Sequence, residues 1–405
     1  MAPSRNIIIA GAGIGGLTAA LALAQRGFRA VVLDQALTLE ETGAGIQLSP
    51  NAARVLIGLG LEQRLLANAV APEAVEIRAA RGQILARIPL GDYAEARYAA
   101  PYWVTHRGDL QAALVEAVRA NPNIALKLGT RVEDFVVHGN GVTVACRHGP
   151  NPADKTGIAL ICADGLWSRL RLRLGHRDRP AFRRRVAWRA LIPAAGVAPD
   201  VRNEVVRLWL GRGAHLVHYP VKLGALINVV AIVNDDRWQE SGLSAPGWNE
   251  PGAREEIIAR FSDKRWAPPV RELITQAERW HKWALYDLPP LRQWGDGPVT
   301  MLGDAAHPML PFLAQGAAMA IEDAAVLAAS IARTSDDVPG AMRRYERARQ
   351  RRTRRAQNGA RRNSRAYHTR GAEAVLRDLY LRTIGGKLLL RSYDWLYGWR
   401  SLPPK

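Results

Sequence analysis

Cysteine is nearly missing from this chain. Only Cys146 and Cys162 occur in 405 residues, neither in a CxxC pair nor beside a histidine. That excludes a disulfide framework and a thiolate metal centre, and leaves two small buried apolar side chains in a reducing compartment. Lysine is also scarce: seven residues, so 49 of the 56 basic side chains are arginine against 37 acids, a net charge of +19. An excess of that kind fits nucleic acid, anionic lipid or an anionic small substrate, or the composition of the genome, and only its placement decides. There is one long apolar run, 7–24, and it holds Gly11, Gly13, Gly15 and Gly16 in its first half. Neither a secretory segment nor a spanning helix is built that way, so a strand, a tight turn and a helix are expected, with a cytoplasmic location. No internal repeat or low-complexity stretch is present. What remains is 48% hydrophobic and 23% charged, a globular chain long enough for two to three domains at about 150 residues each.

Residues 6–10, with three consecutive isoleucines, predict a buried strand. Gly11-Ala-Gly13-Ile14-Gly15-Gly16 follows, then an apolar helical pattern over 17–26 with Gly27 as its stop, then a second strand over 29–33 ending in Asp34. Each part has a physical task. Gly11 permits the tight turn, Gly13 lets the backbone approach a pyrophosphate, and Gly16 lets the helix pack close to the strand. The free N–H groups of the helix face the phosphates, and Asp34, 21 residues after Gly13, can bond ribose hydroxyls. The pattern selects a dinucleotide without saying which, because FAD and NAD share this cradle.

Three further segments bear on that choice. His106-Arg107-Gly108-Asp109-Leu110 opens a helix to about residue 120. Cys162-Ala163-Asp164-Gly165-Leu166-Trp167-Ser168-Arg169 follows a strand over 158–161. Leu302-Gly303-Asp304-Ala305-Ala306-His307-Pro308 follows a strand over 299–302 and leads through Leu313-Ala314-Gln315-Gly316-Ala317 into a helix over 319–331. The last two again place a carboxylate on a small-residue turn between strand and helix. The final helix N-terminus suits an electron-rich oxygen or a reduced flavin ring.

Over about 5–365 the chain resembles the single-component FAD-dependent aromatic hydroxylases. Within them it is most similar to the salicylate and 3-hydroxybenzoate branch, on Gly43-Ala44-Gly45-Ile46-Gln47-Leu48-Ser49-Pro50-Asn51-Ala52, His215-Leu-Val-His218-Tyr219-Pro220, Asn228 and Tyr393-Asp394-Trp395-Leu396-Tyr397. The resemblance implies a Rossmann-like α/β FAD-binding domain with an interleaved, mostly antiparallel substrate sheet. It also implies an NAD(P)H co-substrate, and O2 transferred from a flavin C4a-hydroperoxide to the ring of a small hydroxylated aromatic acid. The glycine turn would hold the adenosine and diphosphate; Asp164-Gly165 would contact FAD and the nicotinamide cofactor, and Gly303-Asp304 the ribityl or ribose side. Arg107 matches an FAD-contacting arginine, and the backbone of Val132 falls at the adenine. Ile14, Gln35, Ile46, Gln47, Pro311, Gln315, Gly316 and Ala317 complete the implied cofactor contacts. The 3-hydroxybenzoate type carries a Gln after His-Pro, where this chain has Leu310-Pro311-Phe312. The Pro311 form is the commoner one in the wider family, salicylate and hydroxynicotinate hydroxylases included, and bears on regiochemistry. A nitrogenous ring (hydroxynicotinate or urate) or a larger natural product is the alternative substrate class.

His215 and Tyr219, four apart on a strand over 213–220, would share one face, with His218 on the other. The resemblance implies a proton-accepting role for His215 and a hydrogen bond from Tyr219 to substrate. Arg189, on a strand over 185–192, is either a ligand contact, a structural ion pair or part of a domain seam.

The expected organisation is a discontinuous FAD domain (1–180 and 287–365), a substrate sheet domain (181–286) and a C-terminal helical extension (366–405). Segments 74–80 and 83–89 read as a hairpin inserted between FAD-binding pieces. Residues 341–370 hold twelve arginines and one acid, Glu346. The expectation is a solvated helix face with arginine stems on apolar neighbours, outside every motif that carries chemistry and without the aromatic interleaving of a nucleic-acid surface. A homodimer is compatible with the resemblance and with the apolar segment 376–397. A basic protein that keeps the cradle without catalysis is the competing class.

Overall fold

The structure, a computed structural model, describes residues 6–39, 44–236 and 250–401; Gly43 of the segment quoted above lies outside them. The fold is α/β and is built around two sheets. The first has six strands in the order Gly295–Asp296, Val299–Met301, Ala159–Cys162, Asn6–Ala10, Arg29–Leu33 and Ile124–Lys127, all parallel except the first pair. Ile7, Ile8 and Ile9 are fully buried, as expected of a strand covered on both faces. Helix Ile14–Ala24 starts three residues earlier than the apolar pattern indicated and buries all but one of its residues. An all-round apolar helix belongs inside a protein, which accounts for the long run. Among the described residues no helix is long and apolar enough to cross a membrane.

The second sheet has eight strands: Glu250–Gly252, Trp280–Asp287, Ala181–Pro193, Leu226–Asn234, Ala214–Val221, Val205–Gly211, Ala74–Ala79 and Ile84–Pro89. The expected hairpin 74–89 forms, its two strands antiparallel, between the FAD-binding pieces of the chain. Its first strand pairs in parallel with Val205–Gly211 in the register Val205↔Ala74 and extends the second sheet, so the piece 1–180 supplies strands to both. The outer face of that sheet, including Val186, Trp188, Ala190, Leu216 and Val229, packs under helices Arg254–Phe261 and Pro268–Gln276. Strand alternation then puts Ala187, Arg189, His215, Val217, Tyr219, Asn228, Val230 and Ile232 on the inner face.

Helix Val338–Tyr367 crosses behind both units. Its arginines are not simply a solvated face. Arg349 is 1% exposed and Glu346, Thr353, Gln357 and Ser364 are buried with it. Arg343, Arg352 and Arg361 reach Glu346, Glu322 and Asp287. Helix Gly371–Ile384 that follows buries none of its residues.

Candidate functional site

The three motif turns stand side by side at the carboxyl ends of the parallel strands, where open α/β sheets bind ligands. Gly11 N donates to Leu33 O at 2.7 Å, Ala163 N to Ala10 O at 2.8 Å and Leu302 N to Cys162 O at 3.0 Å. Gly11 adopts φ +112°, and a Cβ there would lie 2.3 Å from Ala163 O. A Cβ on Gly16 would lie 2.0 Å from Gly11 O, whereas one on Gly13 would meet nothing within 4 Å. Two glycines therefore let the turn and helix close on each other, and the third leaves backbone open to a bound group. Asp34 accepts from Ala12 N at 2.6 Å and Ala36 N at 2.8 Å, one on each oxygen. It fixes the turn, and each oxygen keeps lone-pair capacity for a ribose hydroxyl. Gln35 is exposed at the rim, and Val132 pairs with Cys146 on the neighbouring strand.

Arg171 locks the other two turns together, donating to Ala305 O at 3.1 Å and Leu166 O at 2.8 Å. Asp164 accepts from Leu170 N through Oδ2, while its buried Oδ1 makes none of the described hydrogen bonds. Burial raises the Asp164 carboxyl, with Ser168 and backbone donors opposing. Burial likewise raises Asp304, against His307, Arg107 and Arg171, and lowers Arg107, against Asp304. Desolvated groups of both signs beside an open glycine backbone fit the polar body of FAD.

Around Gly316 the structure is more specific than the sequence reading. Pro311–Leu313 is a 3-10 turn, Ala314 is left-handed at φ +53°, and helix Gly316–Arg333 begins with no side-chain cap. The Gln315 side chain turns inward. Asn51 Nδ2 donates to it at 3.1 Å and its Nε2 donates to Ser49 Oγ at 2.8 Å. Only its backbone, with Gly316 and Ala317, stays at the helix entrance. Asn51 also donates to Glu322 at 2.6 Å. His307 Nε2 meets Asp323 Oδ2 at 2.5 Å, and Gly303 N donates to the same oxygen at 3.1 Å. Glu322, Asp323 and Arg349 were missed by sequence reasoning, although two adjacent acids in an otherwise apolar helix are a legible signal of buried pairing.

The inner face of the eight-stranded sheet carries the other candidates. Gly45 N donates to Asn228 Oδ1 at 2.6 Å, and a Cβ on Gly45 would lie 2.5 Å from the Tyr219 ring. The strand that holds Ile46 and Gln47 thus rests directly on Tyr219. Gln47, expected among the cofactor contacts, turns its side chain to this face: Tyr102 donates to its Oε1 at 2.6 Å, and it bonds Tyr219. His215 shares the face, but roughly 13 Å along the strand, packed on Phe312, Tyr367 and His368. His218 is on the outer face, stacked with Trp209. Among the described residues no acid pairs with Arg189. Its guanidinium lies 4.7 Å over the Trp283 ring and its buried Nε is unpaired. Burial pulls its pKa down to about 10, with Arg107 adding and Tyr219 opposing. Two surface grooves, lined by residues such as Asn6, Arg29 and Pro298 or Lys127 and His148, hold none of these residues. Among the described residues no cluster of His, Cys, Asp and Glu could hold a metal ion.

The arrangement is a dinucleotide cradle facing a largely apolar sheet with a few aimed polar groups. The chain belongs to the FAD binding domain family, whose profile matches residues 5–360. It is 37% identical over 395 residues to 3-hydroxybenzoate 6-hydroxylase 1 of Aquipseudomonas alcaligenes, covering 97% of each chain. A salicylate hydroxylase solved as a substrate complex superposes with TM-score 0.81 at 25% identity, over 99% of this chain and 97% of the other. HpxO of Klebsiella pneumoniae, solved with FAD and uric acid, gives TM-score 0.84 at 25% identity over 97% of each. The chain is an FAD-dependent monooxygenase of the aromatic hydroxylase class.

Proposed function

We propose that the enzyme uses NAD(P)H and O2 to hydroxylate a small aromatic acid that already bears a hydroxyl group, of the salicylate or hydroxybenzoate kind. The observation that carries this reading is Arg189, a desolvated cation with no carboxylate partner among the described residues, on the same sheet face as Tyr219 and His215. A cation in that state is stabilised by an anion, and a substrate carboxylate supplies one. Phe312, Trp283, Val217 and Val230 line the same face and favour a flat apolar ring.

The FAD contacts are assigned as follows. The turn from Gly11 to Gly16 takes the diphosphate, and Asp34 with Gln35 takes the ribose rim. Val132 flanks the adenine, and Arg107, Asp164, Gly303 and Asp304 bind the middle of the cofactor. Ile46, Pro311, Gln315, Gly316 and Ala317 surround its ring through backbone and apolar atoms. Bound FAD supplies electron transfer from the nicotinamide and the activation of oxygen. This chain's own residues then bind and orient the ring. Tyr219 donates to a substrate oxygen, with Gln47 fixing its hydroxyl, and Arg189 takes the carboxylate. His215 Nε2 accepts the phenolic proton, which makes the ring a better nucleophile. The apolar walls exclude water.

The reading is tested by following NADH and NADPH oxidation in the presence of a panel of aromatic acids, with products identified after reaction under labelled O2. Stimulation by a monocyclic hydroxybenzoate, with one labelled oxygen in the product, is expected. Stimulation by urate or hydroxynicotinate alone would replace it with the nitrogenous-ring reading, which the likeness to HpxO favours.

A further inference from the structure

The group expected to take the substrate proton is not alone. His215 Nδ1 lies 2.8 Å from His368 Nε2, although the two residues are 153 apart in sequence. His368 Nδ1 in turn lies 2.7 Å from Asn234 Oδ1 and 3.1 Å from Arg185 Nε, which donates to it. We propose that His215, His368 and Asn234 form a proton exit from the substrate site to solvent, so that His368 positions His215 as an acceptor and carries its proton outward. The proposal rests on the proposed function above and deepens it.

The geometry has a direction. His215 is 2% exposed and His368 7%. Asn234 is half-buried at the end of its strand, where Asn234 N donates to Gly213 O at 3.0 Å. The side chain of the exposed Arg370 lies against Gly213. The chain of contacts therefore runs from the interior to the surface in three side chains.

His368 Nδ1 cannot serve both of its partners at once. When it carries a proton it donates to Asn234 Oδ1. Its Nε2 then accepts from His215 Nδ1–H, and His215 Nε2, which makes none of the described hydrogen bonds, is an acceptor facing substrate. When Nδ1 is bare it accepts from Arg185. Then His368 Nε2–H donates to His215 Nδ1, and His215 Nε2 is protonated. The two arrangements differ by one transit. The phenolic O–H bond breaks and its proton joins His215 Nε2. The Nδ1 proton of His215 moves to His368 Nε2, and the Nδ1 proton of His368 leaves to water past Asn234. Substrate becomes phenolate, both imidazoles begin and end neutral, and one proton reaches solvent.

The charged surroundings favour passage over storage. The groups facing His215 are His368, Tyr367 and Arg185, and those facing His368 are Arg185, Arg370 and Arg377. Burial holds both imidazoles well below the ordinary histidine range, with His368 and then Arg185 adding at His215, and Arg185, Arg370 and Arg377 adding at His368, which lies at about 3. No carboxylate among these neighbours would hold an imidazolium in place. A merely structural histidine pair would need neither an unpaired inner nitrogen nor a path to the rim.

The test mixes FAD-loaded enzyme with a hydroxybenzoate that stimulates turnover, in weak buffer with a pH indicator. It follows phenolate absorbance and proton release together. Wild type should release about one proton per ligand bound, in step with phenolate formation. His368→Gln, which keeps a hydrogen bond but cannot relay, should slow both by at least about tenfold at unchanged FAD content, and added imidazole should restore them. Asn234→Leu, with His368 intact, should slow release by removing the outward acceptor, and stands in if the first variant does not fold. Binding with wild-type release rates in either folded variant would overturn the exit. A wild type that binds and hydroxylates the ligand without releasing a proton would overturn it while leaving the proposed function standing. Failure of every hydroxylated aromatic acid to bind would overturn both.

Discussion

Arg349 Nε donates to Asp323 Oδ1 at 2.6 Å between side chains that are 1% and 0% exposed. The second oxygen of Asp323 takes His307 and the backbone N–H of Gly303. Arg349 also reaches Glu322, which accepts from Asn51, the partner of Gln315. The arginine-rich helix is therefore bolted to both turns that flank the candidate flavin ring. Burial alone would raise the Asp323 carboxyl, but His307 and Arg349 hold it at about 2. Burial would lower Arg349, and the two acids outweigh it.

Arg349→Met leaves two buried carboxylates short of a counter-ion. Breaking such a pair from one side costs about 3–5 kcal/mol. Urea unfolding of the FAD-loaded variant should show a loss of that size, and gel filtration should show it shedding flavin more readily than wild type. An unchanged midpoint with full flavin retention would place the weight of this helix elsewhere.

The glycine turn separates packing from binding. Gly16→Ala drives a methyl to 2.0 Å from Gly11 O, backbone that cannot yield, so a poorly folded, colourless protein is expected. Gly13→Ala meets no atom within 4 Å. Its thermal stability without flavin should match wild type within about 0.5 kcal/mol, while FAD affinity falls at least tenfold. Flavin fluorescence titration distinguishes the two. Equal FAD affinity in Gly13→Ala would remove the diphosphate from this turn.

Local pattern made much of this molecule legible. The strand–glycine–helix–strand unit announced itself because turn chemistry, β-branched filler and a carboxylate agreed within 30 residues. The helical and strand periods also set His215 and Tyr219 apart from His218 correctly. Long-range pairing was not legible. Nothing near 74–89 says that its strand pairs in parallel with 205–211, since a hairpin looks alike at the edge of either sheet. Likewise, His368 closes on His215 only because the long helix ends beside that strand. The twelve arginines of 341–370 misled for a related reason: charge density says how many cations a helix has, not which of them a buried acid has claimed.

Buried neutral histidines give the stability a pH dependence with a definite sign. Burial holds His218 and His368 at about 3 and His215 well below the usual range. Below the ordinary histidine value of about 6.5 the unfolded chain binds protons that the native state refuses. Stability is therefore complete above about pH 6.5 and declines as pH falls from there toward the folded values near 3. Each such group contributes up to about 1.4 kcal/mol per pH unit. Urea midpoints between pH 7.5 and 5 should fall for wild type and fall less for His218→Phe. Parallel curves would show that this imidazole is not held neutral.

The proposed carboxylate contact of Arg189 is open to a direct test. If it takes a carboxylate, the charged hydrogen bonds lost in Arg189→Met amount to about 1.5–3 kcal/mol, so KM for the best aromatic acid should rise by roughly 10- to 150-fold. The same phenol without its carboxylate should be a poor substrate for wild type and no poorer for the variant. Arg189→Lys keeps the charge but not the forked donor geometry, and should recover part of the loss. Flavin absorbance per protein, measured on each preparation, keeps a cofactor defect from passing as a substrate defect. If Arg189→Met weakened the acid and the plain phenol equally at full flavin occupancy, the carboxylate would have to be held elsewhere. Arg107, whose charge already bears on Arg189, would be the next residue to replace.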